Sequence, residues 1–365
     1  MVKICHLTSA HPPYDIRIFH KECQTLRQLD PELTLIAQNP TDEVIASIQI
    51  RAFPPLKKRW QRLTNLKNIY ELALQTQAQI YHFHDPDLVL VGLMLKHQGK
   101  VVIYDIHEDV PRQTLAKEYI PQLLRPRLAN CLEITENFAA KRFDALITAT
   151  PHIRDRFQKI GGRSIDINNY PILSELYPSK INWLKKKPIV CYIGGISQLR
   201  GITEMVEAIG QTNGQLLLAG RFETVQQRQQ TMGMSGWSRV QELGYLPREE
   251  VAQTLAKSMA GLVVLRPAIN YLDALPVKMF EYMAAGIPVI ASNFPLWQNI
   301  IEGNHCGLCV DPLNPQAIAQ AIQWIFDHPR EAEQMGQNGR KAVEEKYNWE
   351  TEAKKLLALY QELLT

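Results

Sequence analysis

Short apolar runs alternate with helix-patterned segments along the whole chain, and this alternation constrains the fold more than any single residue does. In the first half the runs lie at 2–8, 33–37, 80–83, 101–104 and 145–149, with helical segments at 16–29, 63–78 and 127–142 between them. In the second half, runs at 189–193, 215–219, 261–265 and 289–291 alternate with helical patterns near 202–209, 249–259 and 276–285. A short run without polar alternation reads as a strand of a parallel sheet that helices cover on both faces. At 365 residues the chain is too long for one compact core, and its 45% apolar content supplies two. The fold class read here is α/β, with two doubly wound, Rossmann-like parallel-sheet domains facing a central cleft. Turn residues Asn168, Asn169, Tyr170 and Pro171 place the join. The expected division is an N-terminal domain over 1–170, a C-terminal domain over 171–346 and a closing segment over 347–365.

Composition narrows the function classes. A net charge of +3 is too small to indicate a nucleic-acid partner. No uninterrupted apolar segment approaches the roughly 20 residues that span a bilayer. The opening VKICHLTS has polar residues inside it and reads as a first strand rather than a leader, so a cytoplasmic protein is expected. Cys5, Cys23, Cys131, Cys191, Cys306 and Cys309 are scattered, as free thiols in a reducing compartment are. Cys306 and Cys309 form a lone C-x-x-C beside His305, without the second ligand pair that a structural zinc requires.

Three stretches carry chemistry. LPVKMFEYMAAGIPVIAS, at 275–292, reads as a helix with one packed apolar face, broken at Gly286 and passing through Pro288 into a buried strand. Lys278 and Glu281, three residues apart, share a face. They either hold a polar ligand beside a strand end or form a surface ion pair. The strand at 189–193 is followed by GGISQL, Arg200 and Gly201, a turn at which a phosphate meets backbone N–H groups and a cation together. In the first half His82, His84 and Asp85, and then His107, follow two strands and converge on one sheet edge. These groups are too polar to bury cheaply. One reading is a substrate-facing edge; the other is a hydrolase's divalent-metal site built from His82, His84, Asp85, Asp105, His107 and Glu108. In HPPYDIR the two prolines stiffen a loop, and Asp15 either caps the helix carrying Arg17 and Lys21 or, with Arg17, meets substrate. The segment 51–67 interleaves Lys57, Lys58, Arg59, Arg62 and Lys67 with Phe53, Trp60 and Leu63. It reads as a solvated basic face or as a contact with anionic membrane.

Asp273 stands eight positions before Glu281. This acid-x7-acid spacing resembles the Glu-x7-Glu signature of the family 4, or "group 1", retaining glycosyltransferases with the GT-B fold. YIGGISQLRGITEMVEAI, LLLAGRFE, VQELGYLPREEVAQTLAKS, CGLCVDP and YNWETEAKKLLALYQEL follow in that family's order. HPPYDIRIFHKECQTL, YHFHDPDL and VVIYDIHEDVP are similar to a subset of the same enzymes. The likeness covers nearly the whole chain. It implies a hexosyl- or related transferase that moves a sugar, with retention and without a metal, from a nucleotide-diphosphate sugar to a hydroxyl acceptor. The acceptor class is a glycan, a lipid-linked sugar or a small molecule, in polysaccharide or glycolipid biosynthesis. No cofactor beyond the donor substrate is implied, and a lipid-linked acceptor would place the enzyme at the inner membrane face.

The resemblance also assigns residues. His107 matches a histidine that contacts the donor sugar, and Arg200 stands where the family has a diphosphate-binding lysine. With Lys278 and Asp273 they form the implied catalytic set. Glu281 matches the acid that accepts from both ribose hydroxyls. Gly194, Gly195, Gly220 and Arg221, with the N–H groups of Ala274 and Leu275, complete the donor site. Asp15, Arg17, His84 and Asp85 fall on the acceptor side, and no residue is assigned to a metal. Gly195 replaces a usual arginine, a cation deficit that Lys278 or Arg221 makes up. Asp273 is one methylene shorter than the usual glutamate. The helix after Trp349 is implied to return to the first domain. Two other reaction classes share the fold: an epimerase that turns over the donor alone, and a non-catalytic module that binds a sugar nucleotide.

Overall fold

The computed structural model of the protein describes residues 2–54, 61–117, 120–176 and 183–365. The chain divides into two compact units, Met1–Asn169 with Glu352–Thr365, and Tyr170–Thr351.

The first unit is built on an eight-stranded sheet. Its strands are β1 (Lys3–Leu7), β2 (Glu32–Gln38), β3 (Glu43–Ile45), β4 (Ile48–Phe53), β5 (Ile80–Phe83), β6 (Val101–Ile106), β7 (Ala145–Thr148) and β8 (Ser164–Asp166). They run in the order β3-β4-β2-β1-β5-β6-β7-β8, with every pair parallel except the antiparallel β3–β4. All of β5 and β7 is buried, because helices cover both faces there. β3, β4 and β8 lay outside the expected strands. At the sheet's two ends they are short or partly exposed, so none of them presents an apolar run. The helices that matter below are α1 (Ile16–Cys23), wound as a π-helix, α2 (Val89–His97) and α3 (Arg125–Ala140).

The second unit holds a six-stranded parallel sheet, ordered β11-β10-β9-β12-β13-β14. These strands are β9 (Ile189–Ile193), β10 (Gln215–Ala219), β11 (Val240–Gly244), β12 (Ala260–Val263), β13 (Val289–Ser292) and β14 (Gly307–Val310). The edge strands β11 and β14 are again the ones that periodicity missed. Helix α4 (Ile202–Gly210) starts behind Gly201, whose φ of 76° and 1.9 Å approach to the Val264 carbonyl oxygen, measured from an added Cβ, exclude any other residue. Helix α5 (Val277–Ala284) ends at Gly286, φ 70°, as the sequence predicts. Its expected single apolar face is a correction. Met279 to Ala284 are all buried, since α5 packs on β12 and is covered by the helix over Pro329–Glu345. The last helix, α6 (Trp349–Leu364), begins in the second unit, and its residues from Glu352 belong to the first.

Candidate functional site

In the second unit the chain leaves β9 through Gly194 and Gly195. Two contacts set α5 against that strand end. The Ile193 N–H donates to the Tyr282 hydroxyl at 3.0 Å, and the bare Gly194 leaves room for Lys278, whose Nζ would lie 2.9 Å from a Cβ there. That Nζ is shielded from water, has no hydrogen-bond partner among the described residues, and sits 3.6 Å from the centre of the Tyr192 ring. Burial first, and then the positive charge of Arg200, push the Lys278 amine well below the usual lysine range, with Glu281 opposing. Arg200 folds back over Gly195. Its Nη1 donates to the Gly195 carbonyl at 3.3 Å, and an added Cβ at 195 would come within 2.6 Å of it. The Arg200 guanidinium thus occupies space that a side chain at 195 would take.

Glu281 is buried and accepts from Arg248 Nη1 at 2.6 Å, while Arg248 also pairs with Glu175 at 2.7 Å. The alternative reading of Lys278 and Glu281 as a surface ion pair therefore does not hold: the lysine turns to Gly194 and the glutamate to Arg248. Gly220, φ 144°, lies against the Gly194 carbonyl, where a Cβ would be 1.8 Å from the oxygen. Arg221 is exposed, its guanidinium 5.4 Å from the Tyr245 ring centre. Asp273 and Leu275 are partly buried in the segment before α5. The Ala274 N–H, expected to face the sugar, instead donates to the Tyr271 carbonyl at 3.2 Å, because the chain turns there. Two cations and a carboxylate around one strand end suit a diphosphate joined to a diol.

In the first unit the sheet edge carries a dense network. His6 on β1 lies opposite His82 on β5, so both point to one face, and His84 two residues on shares it. His6 Nδ1 and His84 Nε2 are 3.0 Å apart, His84 Nδ1 lies 3.1 Å from Asp105 Oδ2, and His82 Nδ1 lies 2.8 Å from the Tyr360 hydroxyl of α6. Arg17 donates through Nε and Nη2 to Asp105, each at 2.8 Å, and through Nη1 to the Ile167 carbonyl. Burial raises the Asp105 carboxyl, but Arg17 and then His107 outweigh it and hold it well below the carboxylate range. Glu22 is pushed well above that range, by burial and by Asp105, against the pull of Arg17. The network thus balances one guanidinium against one carboxylate. Burial also lowers His6 and His82 and brings His84 down to about 4, so these rings are neutral at pH 7.

This arrangement corrects the acceptor-side assignments. Arg17 and His84 are buried and their polar atoms are spent within the network, so neither faces a substrate. Asp85 is buried too; it accepts from Thr8 Oγ1 at 2.7 Å and from the N–H groups of Ser9 and Ala10, fastening the loop after β1. Asp15 caps α1, accepting from the N–H groups of Arg17 and Ile18. His107 remains part-exposed, its Nε2 held 2.8 Å from Asp105 Oδ2 and its ring 4.9 Å from that of His11. The six-residue metal set does not assemble. Asp85 points to the loop and the exposed Glu108 binds Gln113, which leaves His84, Asp105 and His107 in one group and His6, Glu22, His82 and His84 in another. Of the basic segment, residues 55–60, with Lys57, Lys58, Arg59 and Trp60, lie outside the described residues. Phe53 is buried in β4 rather than free for a membrane, and Lys67 pairs with Glu71 at 3.7 Å.

Tyr192, Arg248, His6, Glu22 and Tyr360 escaped the sequence reading. Only His6, between apolar neighbours on a predicted strand, left a local signal. Arg248 and Tyr360 matter through partners 33 and 278 residues away.

The comparison with known proteins bears on both units. The family model described as "Glycosyltransferase Family 4" matches residues 17–167, and that described as "Glycosyl transferases group 1" matches residues 174–342. The chain belongs to the group 1 glycosyltransferases. It is 24% identical to the D-rhamnosyltransferase WbpZ of Pseudomonas aeruginosa, over 76% of this chain and 71% of that one. Sucrose-phosphate synthase from Thermosynechococcus elongatus superposes with a TM-score of 0.82 at 22% identity, covering 100% of this chain and 99% of that one. HepE of Anabaena, solved in complex with UDP-glucose, gives a TM-score of 0.75 at 16% identity, over 99% and 100%. These superpositions establish the GT-B fold for this glycosyltransferase. Among the described residues, no helix is long and apolar enough to cross a membrane.

Proposed function

We propose that this glycosyltransferase takes its sugar from a nucleoside-diphosphate sugar held by the second unit, and transfers it with retention and without a metal to a hydroxyl acceptor. The observation that carries this reading is the Lys278 amine, buried without an acceptor beside Gly194 and within the field of Arg200. An unpaired buried ammonium is costly, and a diphosphate placed there removes the cost. The UDP-glucose bound by HepE supports a ligand of that class.

Lys278 and Arg200 take the diphosphate, and Glu281 accepts from the ribose hydroxyls after exchanging part of its bond to Arg248. The bond from the sugar's anomeric carbon to the diphosphate oxygen breaks. The acceptor oxygen bonds to that carbon on the same face, and its proton passes to the departing oxygen. Negative charge grows on the diphosphate as this happens, so the two fixed cations act most strongly in the transition state. His107, steadied by Asp105 in the first unit, and Asp273 in the second are the further residues that the family resemblance assigns to the reaction. The acceptor is a glycan, a lipid-linked sugar or a small molecule that carries a hydroxyl, and a lipid-linked one would bring the enzyme to the inner membrane face.

Thermal shift against UDP-, GDP-, ADP- and TDP-sugars tests the donor, since ligand binding raises stability by mass action. One base series should raise Tm, and the donor found should give a glycosylated acceptor with the anomeric configuration kept. No shift with any nucleotide sugar would overturn the site. Isomerised donor without acceptor would mark an epimerase, and binding without turnover a non-catalytic module.

A further inference from the structure

Helix α3 is built inside out. Its inward residues are the small Ala129, Ala139 and Ala140 with the carboxylate Glu136, which is satisfied by Arg156 at 2.7 Å and by the Tyr104 hydroxyl at 3.1 Å. Most of its large apolar side chains face water instead: Leu128 is 41% exposed, Ile134 61% and Phe138 53%, and Leu123 and Leu124 just before it are 88% and 51% exposed, while Leu132 is partly buried. Leu124, Leu128, Cys131, Ile134 and Phe138 follow one another at spacings of four, three, three and four, which puts them on one stripe of the helix. On α2, packed beside α3, Leu90 and Met94 are exposed as well. A stripe of this extent on a charged, water-soluble surface marks a contact.

Charge decides what covers it. Arg127 stands in the first turn of the stripe's sector, and Arg142, whose guanidinium lies 3.4 Å over the Phe138 ring, stands just past its last; Lys141 beside it is also exposed. A second copy paired across the stripe by a twofold axis would press like charges together, Arg127 against Arg142 if the helices run antiparallel and each arginine against its own copy if they run parallel. An anionic bilayer surface accepts both ends at once, with the leucines, isoleucine and phenylalanine at the acyl boundary and the arginines among the headgroups. We propose that α3, extended by Leu123 and Leu124, is the surface by which this enzyme rests on anionic membrane. This stands apart from the donor site, since vesicle binding is measured without any nucleotide.

The full-length protein is floated with phosphatidylcholine vesicles with and without phosphatidylglycerol. It should rise with the anionic vesicles, and salt should weaken the association. Leu128→Glu with Phe138→Glu should lower the bound fraction at least tenfold (about 1.4 kcal/mol), in a protein that circular dichroism shows to be folded. Arg127→Glu with Arg142→Glu should lose the preference for phosphatidylglycerol. Wild type that stays with the lipid-free fraction, or binding that the apolar double variant leaves unchanged, would overturn the proposal. So would sedimentation showing a dimer that the same variant dissolves.

Discussion

A lysine nitrogen held out of water without a hydrogen-bond partner destabilises the protein that carries it, and Lys278 is such a group. Lys278→Met should therefore raise the Tm of the ligand-free protein while reducing both kcat and donor affinity. The sign with pH follows from linkage. The folded amine has a lowered pKa, so the unfolded chain binds the extra proton, and the cost is full below the folded value. The stability advantage of Lys278→Met should shrink as pH rises through that window, and vanish above the unfolded lysine value near 10.4. A difference in Tm that is flat with pH would show that Lys278 is solvated. Glu281 has another role, holding a ribose that does not change in the reaction. Glu281→Gln should raise donor KM by about one to two decades with little change in kcat, from the loss of hydrogen bonds worth roughly 1.5–3 kcal/mol. An equal fall in kcat would place Glu281 at the reacting centre instead.

Strand pairing gives the first unit its pH sensitivity. Parallel register sets His6 against His82 with His84 beside them, and burial keeps all three neutral in the folded protein. Between pH 6.5 and about 4 the unfolded chain protonates these rings and the folded protein does not, so stability falls as pH falls. His84 alone, lowered to about 4, accounts for about 3 kcal/mol across that span. Urea midpoints should drop steeply over this range, and His84→Gln should flatten the drop by about one proton. In the second unit the entry to α4 rests on Gly201. Gly201→Ala should cost at least the roughly 1–3 kcal/mol of a left-handed non-glycine residue, because the new methyl also meets the Val264 carbonyl. A denaturation midpoint like that of wild type would mean that the turn relaxes freely.

For the whole molecule, the arrangement of Lys278 and Arg200 predicts full transferase activity in excess EDTA. Strict dependence on an added divalent ion would return attention to the histidine groups of the first unit. Much of the architecture was legible in the sequence alone. Strands covered on both faces must be apolar throughout, so β1, β2, β5, β6, β7, β9, β10, β12 and β13 announced themselves. The strands at and near the sheet edges, β3, β4, β8 and β11, are short or partly exposed and carry no such run, and β14 is apolar but only four residues long and partly exposed. Gly286 was readable because a helix end needs a residue tolerant of positive φ, a constraint that acts within a few bonds. The order of motifs likewise pointed to the family. Tertiary structure alone decided which partner each charge meets. Spacing put Lys278 and Glu281 on one helix face, yet the lysine turns toward a strand end that lies 84 residues back, and the glutamate meets Arg248. Arg17 and His84 looked like substrate contacts, yet both are buried against Asp105 of β6. Local periodicity reports which face of an element is dry, because the backbone repeat sets it. The partner that satisfies a buried charge comes from a distant part of the chain, and only packing brings it there.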